Sequence, residues 1–228
     1  MSNTPEIIKN LLSDNGSKIV LLVMDGVGGI RTVEHPTTEL EAATTPNLDK
    51  WARRGSLGRA LPAAQGITVG SGPGHLSLFG YNPLLPENEI GRGVLEAAGI
   101  DVRLSPTGVA ARGNFASLDA DGNITDRRAG RISSEESAPV LEKMQEAVKE
   151  PIDGVKVSVY PVKEYRFCLV FDGPGLGADL WDTDPQKTGV PPLDPEAKED
   201  TPENQKTVKV VKEAVRRMRE AIKDEPKA

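Results

Sequence analysis

Apolar positions along this chain come in short runs, and their spacing changes character roughly half-way. Residues 5–13 carry helical spacing, and residues 18–24 form a β-rich apolar run that ends at Asp25-Gly26-Val27-Gly28-Gly29. An unbroken run closed by glycines predicts a buried strand feeding a flexible loop. In residues 45–55 a Thr cap, a Pro in the first turn, cations in the last turn and a closing Gly predict a helix. Residues 57–61 predict the next strand, 66–74 a loop and 75–81 a helix. Strand followed by helix predicts an α/β arrangement with parallel pairing.

The second half reads differently. A short helix beyond Gly91 closes at Gly99, and residues 108–118 and 123–125 flank Asp119-Ala120-Asp121-Gly122, a hairpin signal. Ser133 or Ser134 caps a helix with Glu135 and Glu136 in its first turn, and residues 155–160 and 165–171 predict two further strands. These elements predict a small α+β domain. Residues 172–202 are rich in Gly, Pro and Asp, and longer than a structureless connection in a compact domain usually runs, which implies a function or a crossing between domains. A last helix over 203–222 is capped by Thr201 and Pro202 and carries a basic, solvated face of Lys209, Lys212, Arg216 and Arg219. The division expected is 1–100, 101–200, and a helix within 201–228 that returns toward the first part.

Composition narrows the class. Hydrophobic residues make up 37% and charged residues 27%, values of a water-soluble globular chain. No apolar run approaches the roughly 20 residues that span a bilayer, and Met1-Ser2-Asn3 is not a cationic leader; the expectation is a cytoplasmic protein with no membrane partner. Cys168 is the single cysteine, so no intrachain disulfide forms, and its apolar neighbours predict a buried strand position. The net charge of −6 argues against nucleic-acid binding, although arginines gather between Arg112 and Arg131.

Three groups of residues carry chemistry. Asp25 follows a predicted buried strand, at the carboxyl edge where α/β sheets place ligands; it suits a divalent cation, and equally suits the start of a turn with Gly26. Gly70-Ser71-Gly72-Pro73-Gly74-His75 surrounds one serine with glycines ahead of a helix, which exposes its hydroxyl near backbone N–H groups able to hold anionic oxygen; Ser71 also suits a plain helix cap. Asp126-Arg127-Arg128-Ala129-Gly130-Arg131, with Arg112 and Asn114 on the strand before the hairpin, offers forked donors that match phosphate and carboxylate together, so a small doubly anionic ligand fits. A solvated charged turn has the same appearance. Lys163, Arg166 and Lys187 are further cationic candidates.

In combination these segments resemble the archaeal-type 2,3-bisphosphoglycerate-independent phosphoglycerate mutases of the alkaline phosphatase superfamily. Val23-Met24-Asp25-Gly26, Thr45-Pro46-Asn47-Leu48-Asp49, Gly70-Ser71-Gly72-Pro73-Gly74-His75-Leu76, Ile90-Gly91-Arg92-Gly93, Ala110-Ala111-Arg112-Gly113-Asn114-Phe115, residues 124–131 and Asp182-Thr183-Asp184-Pro185-Gln186-Lys187 are similar to that family in the same order. The resemblance implies a partial alkaline-phosphatase-like α/β core with an inserted, smaller α+β domain. It implies interconversion of 3-phosphoglycerate and 2-phosphoglycerate in glycolysis and gluconeogenesis through a phosphoserine on Ser71. By the same resemblance Asp25 and Ser71 would ligate one of two Mn2+ or Mg2+ ions, and Arg112, Asn114, Asp126, Arg127, Arg128, Arg131 and Lys187 would line the substrate site.

The resemblance covers nearly all of this chain and about half of a usual family member. The family's other metal ligands are aspartates and histidines that follow the inserted domain; here the histidines are His35 and His75, so the two-metal site is expected to be incomplete on this chain. Two outcomes are open: a mutase that works with a missing C-terminal segment or as a homo-oligomer, or a silent relative that binds phosphoglycerate without turnover. A phosphodiesterase or phosphopentomutase on the same scaffold is disfavoured by the arginine-rich segment.

Overall fold

The computed structural model describes residues 4–24 and 26–225. In chain order the helices are α1 (Thr4–Leu11), α2 (Glu39–Ala42), α3 (Pro46–Ala52), α4 (Ser71–Leu78) and α5 (Arg92–Gly99). Strands β1 (Gly108–Asn114), β2 (Ser117–Leu118) and β3 (Ile124–Asp126) follow, then helix α6 (Ser134–Ala147), strands β4 (Lys156–Lys163) and β5 (Arg166–Asp172), and helix α7 (Pro202–Ile222). The chain divides into two compact units, one of residues 1–69 and 74–83, the other of residues 70–73 and 84–228.

The second unit is built on the antiparallel sheet β1-β5-β4. Its central strand, Arg166-Phe167-Cys168-Leu169-Val170-Phe171-Asp172, is buried at every position from Phe167 to Phe171, because both faces of the strand are covered and an apolar run satisfies both. Phe167, Leu169 and Phe171 join Val157 and Val159 of β4 in a core with Val140, Leu141 and Met144 of α6 and Val210, Ala214 and Met218 of α7. Cys168 and Val170 point the other way, onto Ala97 of α5, and burial pushes the Cys168 thiol up to about 11. Small side chains let α5 close on the sheet: a Cβ on Gly93 would stand 1.9 Å from the Ala110 carbonyl oxygen.

Local chemistry accounts for the elements. Ser133 accepts from the Glu136 N–H while the Glu136 side chain accepts from the Ser133 N–H, a reciprocal box that makes Ser133 the cap of the two serines the sequence offers. Thr201 accepts from the Asn204 N–H and Pro202 occupies the first turn of α7. Asp119 accepts from the N–H groups of Asp121 and Asn123 (3.0 and 2.8 Å), and Gly122 takes φ +83°, which builds the expected hairpin between β2 and β3.

The first unit departs from expectation. Residues 18–24 and 57–61 are not strands, and their side chains are open to solvent, Ile19 at 97% and Val20 at 88% exposure. A strand exists only through the neighbours that take its N–H and C=O groups, and no described segment pairs with either run. All the described strand pairings are antiparallel. The helix expected over 75–81 starts four residues earlier, at Ser71. Pro73 is tolerated in a first turn whose N–H groups have no helical acceptor. The helix ends where Gly80 adopts φ +87°, with Gly80 N–H donating to the Ser77 carbonyl and Tyr81 N–H to the Leu76 carbonyl, a left-handed glycine stop.

Two glycines of α5 generate a prediction of opposite sign. Gly93→Ala forces backbone apart at Ala110 and is expected to destabilise the chain by about 3 kcal/mol. Gly99→Ala, where an added Cβ meets nothing within 4 Å, is expected to be neutral or to stabilise by up to about 1 kcal/mol through helix propensity. Urea unfolding midpoints at unchanged slope measure both.

Candidate functional site

The arginine-bearing segment is a turn with unusual backbone. Asp126 ends β3 and its two carboxylate oxygens accept from the N–H groups of Arg128 (2.8 Å) and Gly130 (2.7 Å). Those bonds, with the charges of Arg128 and Arg131, hold the Asp126 carboxyl below the usual carboxylate range. Ala129, Gly130 and Arg131 then follow one another at φ +45°, +63° and +57°. Consecutive left-handed residues cost energy outside glycine and persist where the surroundings over-determine them, commonly at ligand sites. Ala129 is 1% exposed and anchors the turn in the core, while Arg128 and Arg131 stand exposed on either side of it.

Arg127 points elsewhere. Its Nε donates to Asp184 Oδ1 at 2.9 Å and its Nη2 to Asp184 Oδ2 at 2.6 Å, and Nη2 also donates to Gln186 Oε1 at 2.6 Å. Asp184 belongs to the long segment between β5 and α7, which is a folded strap. Its outer arms pair through Leu180 and Ala197, Trp181 N–H donates to the Glu196 carbonyl and Leu193 N–H to the Thr183 carbonyl. The strap docks on β3, with Ile124 N–H donating to the Val190 carbonyl (2.9 Å) and Gly189 N–H to the Ile124 carbonyl (2.8 Å). Its start is pinned to α7, where Gly177 N–H donates to Thr207 Oγ1 (3.0 Å) and Asp179 N–H to Asn204 Oδ1 (3.3 Å).

Asp184 is held below the ordinary carboxylate range, first by the Arg127 hydrogen bonds, then by the Gln186 N–H and the charges of Arg127 and Arg92, with burial opposing. Arg92 opens α5, and its effect on Asp184 brings that helix start within electrostatic reach of the clasp. Register places Arg112 opposite Cys168 on β1, on the α5 side of the sheet with Ala110, since side chains alternate faces. Asn114 lies opposite Arg166 at the exposed end of β1. Arg166 sits over the Tyr165 ring at 5.5 Å.

Ser71 is exposed and opens α4. Residues 70–73 belong to the same unit as the arginine turn and the strap, and the serine turn meets α5, since a Cβ on Gly72 would stand 3.0 Å from Leu95 Cδ1. The structure therefore gathers Arg127, Asp126, Arg128 and Arg131 at one turn with the strap carrying Lys187. Asp25 lies outside the described residues. Among the described residues no three His, Cys, Asp or Glu side chains form a metal-sized group. The clasp partners Asp184 and Gln186, and Arg92, were not among the candidates read from the sequence; the signal was Asp184-Pro185-Gln186, an Asp whose side chain caps the backbone two residues on, as it does here at 2.9 Å.

Residues 52–227 match the sequence family described as 2,3-bisphosphoglycerate-independent phosphoglycerate mutase. The chain belongs to that family. Mutases of this kind are isomerases, and the chain is 49% identical over its whole length to a probable member from Thermosipho africanus, covering 55% of that protein. A probable member from Thermus thermophilus is 46% identical over 97% of this chain and 53% of its own length. Among solved structures, the cofactor-independent phosphoglycerate mutase of Thermoplasma acidophilum is 31% identical, with a TM-score of 0.52 over 67% of this chain and 39% of that one. A Pyrococcus horikoshii structure superposes with a TM-score of 0.59 at 27% identity, over 89% of this chain and 43% of its own. The chain thus spans about half the length of the curated mutases it matches.

The depressed Asp184 carboxyl gives the strap an expected pH response. A depressed Asp184 contributes stability that is present above the unfolded carboxyl range, about pH 4, and is lost as pH falls through its lower folded value. Amide protection factors of residues 184–190 are expected to hold steady from pH 7 to about pH 5 and to drop below about pH 4, ahead of those of β5; in Asp184→Asn the early drop should vanish. Hydrogen exchange followed by mass spectrometry reads both.

Proposed function

We propose that this chain supplies the acceptor serine and the phosphoglycerate-binding wall of a cytoplasmic phosphoglycerate mutase that interconverts 3-phosphoglycerate and 2-phosphoglycerate. The observation that carries the reading is that Ser71 and the arginine turn fall in one compact unit, joined through α5. An exposed hydroxyl at the first turn of α4 has backbone N–H groups beside it that can take phosphoryl oxygens. Arg112, Arg128 and Arg131 present forked donors to the phosphate and carboxylate of a small dianion, with Asn114 and Lys187 as further donors. Asp126 orders the turn that carries two of them. In this reading Ser71 Oγ attacks the phosphorus of the bound ester, and its O–P bond forms as the ester O–P bond breaks, the serine proton passing to the departing glycerate oxygen; the other glycerate hydroxyl, held by the same arginines, then attacks phosphorus, the Oγ–P bond breaks and the proton of that hydroxyl returns to Ser71.

Asp25 and Ser71 are hard oxygen donors of the type Mn2+ and Mg2+ take, and they are this chain's candidates for holding such an ion. When bound, the ion supplies Lewis-acid stabilisation of the transferring phosphoryl group. Two donors are fewer than such a site takes. The architecture that goes with this reading is a partial alkaline-phosphatase-like core with a smaller inserted α+β part.

Titration calorimetry of the 228-residue chain with 3-phosphoglycerate tests the binding wall. Arg128→Ala is expected to weaken binding about tenfold, the loss of one charge-assisted contact, while Ser71→Ala should leave it within about threefold. No binding by the wild-type chain sinks the proposal. A coupled assay with Mn2+ then separates mutase from silent binder: turnover lost in Ser71→Ala supports the first, and binding without turnover supports the second.

A further inference from the structure

We propose that Asp184 is a positioning residue for Arg127, aiming its one uncommitted nitrogen at the anionic ligand, and is not there to neutralise the arginine. This inference rests on the phosphoglycerate-binding reading above and assigns the strap a part in it. A guanidinium has five N–H donors in a fixed fork. Here Nε–H and one Nη2–H meet the two Asp184 oxygens, and the second Nη2–H meets Gln186 Oε1. The two Nη1 donors remain without a partner among the described residues: by the planarity of the group one runs parallel to the Nη2–H that meets Gln186, and the other points to the edge of the plane opposite Asp184.

The clasp is itself rigidly seated. Gln186 N–H donates to Asp184 Oδ1 at 2.9 Å, and Gln186 takes φ +59°, a left-handed conformation that side chains adopt only when held there. Three and four residues on, Gly189 and Val190 pair with Ile124, three residues before Arg127. A carboxylate 57 residues away in sequence is thus fixed on the arginine from both sides. Among the described residues the neighbouring arginines have no such clamp: both oxygens of Asp126 are taken by backbone N–H groups, and Arg128 and Arg131 stand exposed.

A carboxylate beside an arginine in an anion site can act in two ways, and they predict opposite signs. If Asp184 only cancels charge, Asp184→Asn makes the site more positive and an anion binds tighter. If Asp184 positions, Asp184→Asn replaces one acceptor oxygen with an amide that faces the guanidinium as a donor; Arg127 swings away, and binding weakens despite the added positive charge.

Two measurements on the full chain read this out. Without ligand, nitrogen-15 spectra at pH 7 are expected to show a slowly exchanging arginine Nε–H in the wild type that disappears in Arg127→Lys and Asp184→Asn. In calorimetry 3-phosphoglycerate should bind about tenfold more weakly to Asp184→Asn, with Asp184→Glu recovering part of the loss and Gln186→Ala losing less than Asp184→Asn. Tighter binding in Asp184→Asn, or a wild type with no protected Nε–H, overturns the proposal. If Asp184→Asn fails to fold, Gln186→Ala carries the test: loss of the protected Nε–H with weaker binding supports positioning, and unchanged binding overturns it. A wild type that keeps the Nε–H but binds no 3-phosphoglycerate counts against the mutase reading alone, and inorganic phosphate then serves as the probe with the same signs expected.

Discussion

Strand β5 is the constraint from which the second unit follows. Its five interior residues are buried on alternating sides, so two different surfaces must cover it: α6 and α7 over Phe167, Leu169 and Phe171, and α5 over Cys168 and Val170. The α5 side is the demanding one. Covering a thiol and a valine tightly requires the helix backbone to approach the sheet, and Gly93 together with Ala97 permits it. That approach also sets where Arg92 stands, one residue before the contact glycine, and where Arg112 stands, two residues beyond Ala110 on the same face. The packing of a small apolar patch thereby positions two cations at the edge of the sheet.

The arginine turn and the strap solve a related problem. A surface run of arginines pays a side-chain entropy cost whenever it orders on a ligand, on the order of 1.5–2 kcal/mol for each. The structure lowers that cost at Arg127 by ordering it beforehand, and fixes the backbone beneath Arg128 and Arg131 with Asp126 and three left-handed residues. Backbone strain at 129–131 is sustained by the burial of Ala129 and Ile132. Core packing, here, holds a conformation that the local sequence would not choose.

How much of this was legible in the sequence depends on how local the deciding forces are. A capped helix start at Ser133 or Ser134, the hairpin at Asp119 and the buried setting of Cys168 are all readable, because each is decided by residues a few positions apart or by an unbroken apolar run. The start of α4 was misread: the glycines of 70–74 signal a loop, yet a first helical turn needs no N–H from Pro73 and tolerates glycine. The Arg127–Asp184 clasp lay beyond reach, since nothing in the pattern around Asp184 names a partner 57 residues earlier. The segment's excessive length signalled a function, without saying which residue would serve it.

The runs at 18–24 and 57–61 make the opposite point. Residues 18–24 are as strand-like in composition as β5, whose continuous apolar run they share, while residues 57–61 are interrupted by Gly58 and Arg59; yet β5 forms the centre of a sheet and the other two do not. Between residues 18–24 and β5 propensity is alike; what differs is company. β5 has β1 and β4 to take its backbone groups, while residues 18–24 have no ladder partner among the described residues. Strand structure is therefore a property of a set of segments, and the apolar character of residues 18–24 specifies the surroundings it requires, covered on both faces, more firmly than it specifies a conformation. Asp25 follows directly on that run, so the placement of the candidate metal ligand depends on the same pairing that decides whether the strand exists.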